Sequence, residues 1–153
     1  MPIERFTHVA IRVGDLERSV AFYRDFLGFE ERTRHVGTGG PSAAMLGNLD
    51  AALEAVFLER DGTVVELQTI EGADPSVVTG VQHGLSHIGF FVTDLAGVVR
   101  DLQRGGAEVI EASRYVDPNL GSEVVFVTDP DGTRIELIAA PPGYDIWRGE
   151  DGT

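Results

Sequence analysis

Cysteine is absent from the 153-residue chain. That excludes a disulfide scaffold, thiolate metal sites and a Cys nucleophile. Basic residues are few: 12 Lys+Arg stand against 25 Asp+Glu, a formal net charge of −13. So acidic a surface repels phosphate backbones and anionic lipid, and neither nucleic acid nor a membrane is expected as a partner. No stretch approaches the ~18 apolar residues of a spanning helix. Met1 to Val13 lacks the basic patch and apolar run of a signal peptide, so the expectation is a cytoplasmic protein. With 42% hydrophobic and 24% charged residues the mixture is that of a globular chain, not a disordered one. At this length roughly two-thirds of the unfolded surface can be buried without a staple.

Along the chain, Thr7 to Val13 reads as a strand. Asp15 is placed to cap a helix whose apolar face is Leu16, Val20, Tyr23 and Leu27, with Gly28 where a C-terminal glycine belongs. Phe29 to Val36 follows, then a Gly-rich loop from Gly37 to Gly40. Two strand-like runs, Leu53 to Leu58 and Thr63 to Ile70, are joined through the turn Arg60-Asp61-Gly62. The second half repeats the plan. Ser86 to Val92 is a strand, Asp94 a cap, and Leu95, Val98, Val99 and Leu102 a helix face closed by Gly105-Gly106. Ala107 to Ile110, Val124 to Thr128 and Thr133 to Ala139 are strands, the last pair turned by Pro130-Asp131-Gly132.

The repetition reaches residue identity. A shift of 79 residues places Thr7-His8-Val9 on Ser86-His87-Ile88 and Asp15-Leu16 on Asp94-Leu95. A shift of 70 places Asp61-Gly62-Thr63 on Asp131-Gly132-Thr133 and Glu66-Leu67 on Glu136-Leu137. The offsets differ by nine residues (79 − 70), extra length assigned to the region from Gly37 to Leu49 of the first half. Each half therefore reads β-α-β-β-β, an internal duplication.

Of the four histidines, His8 and His87 fall on equivalent positions, as do Glu66 and Glu136. A pseudo-twofold axis would make these two symmetry-related pairs converging on that axis. Two imidazoles and two carboxylates suit a divalent first-row metal, and without thiolates the donor set favours Ni, Co, Mn, Fe or Zn. Glu66 and Glu136 lie in the apolar runs Val64-Val65-Glu66-Leu67 and Ile135-Glu136-Leu137-Ile138. A carboxylate in a covered sheet needs a cation or donors. His35 and His83 have no repeat partners and are expected on loops or the surface. Arg12 lies four residues after His8, so strand periodicity puts both on one face.

At these residues the sequence resembles the vicinal oxygen chelate superfamily, which includes glyoxalase I, methylmalonyl-CoA epimerase, ring-cleaving dioxygenases and antibiotic-resistance proteins. The carriers are the opening from His8 through Gly14-Asp15-Leu16 to Phe22-Tyr23, the second opening His87-Ile88-Gly89-Phe90-Phe91-Val92-Thr93-Asp94-Leu95, and Asp129-Pro130-Asp131-Gly132-Thr133-Arg134-Ile135-Glu136. The resemblance implies an α+β fold of tandem βαβββ modules forming an eight-stranded open half-barrel around a metal, with helices on the outside. One domain then spans 1–140, with modules at about 5–70 and 84–140 and a C-terminal tail at 141–153.

The resemblance also implies chemistry. Glyoxalase- and epimerase-like members take a His and a Glu or Gln from each half, the pattern of His8, Glu66, His87 and Glu136. It points to a divalent-metal-dependent isomerase, epimerase or lyase, which removes a proton beside a carbonyl of a small oxygenated substrate through an enediolate. Glu66 or Glu136 would serve as ligand and base in turn, Glu54 is a further candidate base, and Arg12 a candidate clamp for an anionic substrate group. The segment from Gln68 to Pro75 departs from the Asn-bearing aromatic segment of glyoxalase I, which argues against glutathione as the substrate. Polar residues between Ser113 and Ser122 form a loop that could cover the substrate. A homodimer is expected. Two alternatives stand beside this reading: a non-haem iron dioxygenase, and a metal-free protein that binds a drug or natural product.

Overall fold

The computed structural model describes residues 4–38, 51–74, 84–118 and 121–143. The chain divides into two compact units, Met1–Ser76 and Val77–Thr153, each built on one βαβββ module. The class is α+β, as expected.

The first unit comprises β1 (Val9–Arg12), α1 (Leu16–Asp25), β2 (Glu30–Thr38), β3 (Ala52–Arg60) and β4 (Thr63–Ile70). Its open sheet has the order β1-β4-β3-β2, with β1 parallel to β4 and the other pairs antiparallel. Asp15 caps α1 by accepting a hydrogen bond from the Arg18 N–H at 3.0 Å. Gly28 has φ +70°, a left-handed conformation that suits a residue without Cβ. Because Arg60 pairs with Thr63, the β3–β4 loop is the two residues Asp61-Gly62. Both have positive φ, +53° and +79°, as a type I′ hairpin turn requires. One face of the sheet carries Val56, Leu58, Val65 and Leu67, all at most 2% exposed. It packs against α1, which buries Leu16, Val20 and Tyr23.

The second unit repeats this with β5 (Ile88–Phe91), α2 (Leu95–Arg104), β6 (Val109–Val116), β7 (Glu123–Thr128) and β8 (Arg134–Ala139) in the order β5-β8-β7-β6. Asp94 caps α2 through the Gly97 N–H at 2.9 Å. Leu95, Val99 and Leu102 of the helix and Val125, Val127, Ile135 and Leu137 of the sheet are its buried apolar residues. Asp129 is 1% exposed and shapes the turn into β8, its Oδ1 accepting from the Asp131 and Thr133 N–H groups.

Two sequence expectations change. Gly37 does not open a loop, since β2 continues through Thr38, where pairing with β3 outweighs the low strand propensity of glycine. Ser113 to Val116 belong to β6 rather than to a covering loop. The strand survives an irregular register between Ile110 and Tyr115 because Ser113 Oγ bridges it, donating to the Ile110 carbonyl and accepting from the Phe126 N–H. Most of the extra length of the first half, His83, and residues 144–153 of the tail lie outside the described residues.

Candidate metal centre

Alternation along β4 and β8 decides which side chains face the helix and which face away. Val65 and Leu67 turn toward α1, so Glu66 between them points from the opposite face. Ile135 and Leu137 do the same for Glu136. Glu66 pairs across the sheet with Ala10 and Phe57, and Glu136 with Gly89 and Phe126. Each histidine, two residues ahead of Ala10 or Gly89, therefore reaches the carboxylate on its own sheet.

In the first unit His8 Nε2 lies 3.0 Å from Glu66 Oε2; in the second His87 Nε2 lies 3.3 Å from Glu136 Oε2. The carboxylates are half-buried, at 13% and 22% side-chain exposure. Each imidazole stands edge-on to an aromatic ring, His8 to Phe57 at 5.3 Å and His87 to Phe126 at 5.1 Å between centroids. Each Nδ1 lies beside the hydroxyl of the preceding residue, Thr7 Oγ1 at 2.9 Å and Ser86 Oγ at 3.0 Å. A hydroxyl both donates and accepts. It can therefore satisfy Nδ1 in the tautomer that gives Nε2–H to the carboxylate and in the one that leaves Nε2 bare for a metal.

The duplication thus brings His8 to Glu66 and His87 to Glu136. Among the described residues no group of three or more His, Cys, Asp or Glu side chains stands together as a metal site. Within each pair the donors fit a borderline divalent cation: one imidazole Nε2 and one carboxylate oxygen on a shared sheet face, with the second ring nitrogen already partnered.

Arg12 occupies the same face as His8, as periodicity requires. It is directly opposite Gln68 in the β1–β4 register, and its Nε donates to Gln68 Oε1 at 3.4 Å. Gln68 Nε2 in turn donates to Glu66 Oε1 at 3.2 Å. Gln68 carries no mark in the repeat, because the position 70 residues on is Ile138. The available signal was parity: a residue two beyond Glu66 on a strand shares its face. Glu54 is a correction. It pairs with Thr69 and is three residues from Phe57 in an unbroken register, so it projects from the face opposite His8 and Glu66, and it is exposed. Its side chain does not reach the candidate site. His35 is exposed as expected, though on β2 rather than in a loop, with its ring edge-on to Phe57 at 5.6 Å.

Comparison with known proteins identifies the family of the chain. The sequence profile of the Glyoxalase/Bleomycin resistance protein/Dioxygenase superfamily fits residues 5–137. A lactoylglutathione lyase of Salmonella typhimurium is 34% identical over 148 residues, 95% of this chain and 97% of that protein. A lactoylglutathione lyase of Arabidopsis thaliana is 32% identical over 139 residues, 90% of this chain, and the chain spans 45% of that protein's length. Among solved structures, a glyoxalase family protein from Bacillus cereus superposes with a TM-score of 0.78 at 19% identity, covering 92% of this chain and 96% of that one. Members of the family are generally dependent on a divalent metal. The chain belongs to the glyoxalase/bleomycin resistance/dioxygenase superfamily.

Proposed function

We propose that the protein is a divalent-metal-dependent lyase or isomerase of the glyoxalase type, with His8, Glu66, His87 and Glu136 as its metal ligands. The substrate class we assign is a small α-oxygenated carbonyl compound, in particular a thiol adduct of a 2-oxoaldehyde. The observation that carries this reading is the recurrence of one hydroxyl–imidazole–carboxylate triple, Thr7–His8–Glu66 and Ser86–His87–Glu136, at equivalent places in two modules. A packing role does not require the same three groups twice. The name of the relatives, lactoylglutathione lyase, supports the substrate class.

When bound, the metal supplies Lewis-acid stabilisation of negative charge on two neighbouring substrate oxygens. The chain's own groups handle the proton. In this reading Glu66 or Glu136 accepts the proton from the carbon that bears sulfur and hydroxyl, and the C–H electron pair moves through the adjoining carbon onto the carbonyl oxygen. Return of that proton to the adjoining carbon, with the hydroxyl proton passing to the neighbouring oxygen, yields a 2-hydroxy thioester. The sulfur-bearing carbon is thereby oxidised and its neighbour reduced by the same two electrons, so no outside oxidant or reductant is consumed and nothing is lost. Arg12, on the face of His8, is assigned to hold an anionic group of the substrate. Phe57 and Phe126 restrict each imidazole to an edge-on orientation that keeps Nε2 toward its carboxylate.

The test is to incubate the protein with methylglyoxal and a panel of thiols, glutathione among them, with and without added Ni, Co, Mn or Zn. Thioester formation and deuterium incorporation from heavy water are then followed. Metal-dependent thioester formation supports the proposal, and the deuterium content reports how far the proton on the carboxylate exchanges with solvent before it is returned. A protein that binds none of these metals would instead be a binding protein, and oxygen uptake with a catechol would mark a dioxygenase.

A further inference from the structure

The surroundings of the two His–Glu pairs differ at one place. On β1 and β4 the paired residues are Arg12 and Gln68; on β5 and β8 the pair in the same relation is Phe91 and Ile138. A cation and an amide thus stand in the first module where a phenyl ring and an aliphatic chain stand in the second. Gln68 is a buried polar side chain, 7% exposed, and both ends of its amide are engaged: Oε1 accepts from Arg12 Nε and Nε2 donates to Glu66 Oε1. Orientation of the amide is thereby fixed. Arg12 has only donors, so it selects the carbonyl end of Gln68 and leaves the NH2 end for Glu66. Were the amide flipped, two donors would face each other and the buried carbonyl would meet a carboxylate.

Glu66 therefore has its two oxygens assigned different tasks. Oε1 is held by Gln68, while Oε2 faces His8. A carboxylate anchored by one oxygen presents the other in a fixed direction, which lowers the ordering cost of binding a cation there. Glu136 has no amide at the corresponding place.

Resting on the ligand set proposed above, we propose that Gln68 is a positioning residue, oriented by Arg12, that fixes Glu66 as a metal ligand through its Oε2. The strength of metal binding then depends on Arg12 even though Arg12 touches no ligand, and does so through Gln68 alone.

The experiment is a cobalt(II) titration of the full chain, read by chelator competition and by the visible ligand-field spectrum. Wild type, Gln68→Met, Arg12→Met and the double variant are compared, with circular dichroism confirming their folds. Loss of an outer partner to a metal ligand typically weakens binding about 10–100-fold, so Gln68→Met is expected to lose about tenfold or more in affinity, with a changed spectrum. Arg12→Met is expected to lose a smaller factor, and none when Gln68 is already Met. Wild-type affinity and spectrum in Gln68→Met overturn the proposal, as do losses in the two single variants that multiply in the double. If Gln68→Met does not fold, Arg12→Met decides alone: unchanged cobalt affinity overturns the inference. Wild-type protein that binds no cobalt would remove the proposed function and this inference with it. Cobalt binding indifferent to both substitutions would remove the inference only.

Discussion

His8 Nε2 stands 3.0 Å from Glu66 Oε2, although His8, immediately before β1, and Glu66, on the parallel neighbour β4, are separated by most of a module in sequence. His87 and Glu136 reproduce the relationship at 3.3 Å. The parallel β1–β4 and β5–β8 pairings make this possible, because they lay the first strand of each module beside its last. Within each unit the helix covers the other face of the sheet, which leaves this one for chemistry.

Replacing either glutamate tests the ligand assignment without touching the core, since both point away from the helix-covered face. Glu136→Ala is expected to abolish retention of a divalent metal and the proton-transfer activity while the circular dichroism spectrum and thermal transition persist. Metal analysis of the purified variant is the measurement, and unchanged metal content would remove Glu136 from the site.

Glu54 projects from the face opposite Glu66 and is exposed. Glu54→Gln is therefore expected to leave kcat and KM within about twofold of wild type, because an exposed substitution away from the site removes no interaction with the reacting atoms. A fall of several orders of magnitude in kcat would restore it as a base.

The helix-side core is a different matter. Leu67 is fully buried between α1 and the sheet, and Leu67→Ala is expected to cost about 2–5 kcal/mol of stability through lost burial and the cavity left behind. Urea unfolding monitored by circular dichroism measures it.

Away from the site, Glu59 accepts a hydrogen bond from Arg32 Nη2 at 2.5 Å and another from the Gly62 N–H at 2.7 Å. These, Arg32 first, hold its carboxyl below the ordinary value of 4.5. A depressed folded-state pKa contributes stability above the unfolded pKa and loses it as pH falls through the folded one. The stability difference between wild type and Glu59→Gln is thus expected to shrink as pH drops below about 4.5. Denaturation at a series of pH values gives the comparison. A difference that grows on acidification would contradict the assignment.

How much of this could be read from the chain follows from what repeats. Asp15 and Asp94 as caps and the Asp61-Gly62 turn recur at fixed offsets and are found where expected. The same offsets single out His8, Glu66, His87 and Glu136, and each histidine stands beside the glutamate of its own unit. Gln68 was not legible because its counterpart is Ile138, so the duplication gave it no second witness. Glu54 was misplaced for a geometrical reason. Its face depends on the register of β3 against β4, set by the two-residue turn at Asp61-Gly62, and one strand's alternation alone does not reveal which of two faces carries the site. The continuation of β2 through Gly37, and of β6 through Ser113, depended on cross-strand partners that local propensity does not record.

The central proposal is that His8, Glu66, His87 and Glu136 are metal ligands. Titration of nickel or cobalt into wild type, His8→Ala and His87→Ala, read by calorimetry, tests it most directly. The expected result is metal binding in wild type that is strongly weakened in both variants, because each removes a proposed ligand. A wild-type protein that binds no metal, or a variant that keeps wild-type affinity after losing the histidine of one module, would contradict it.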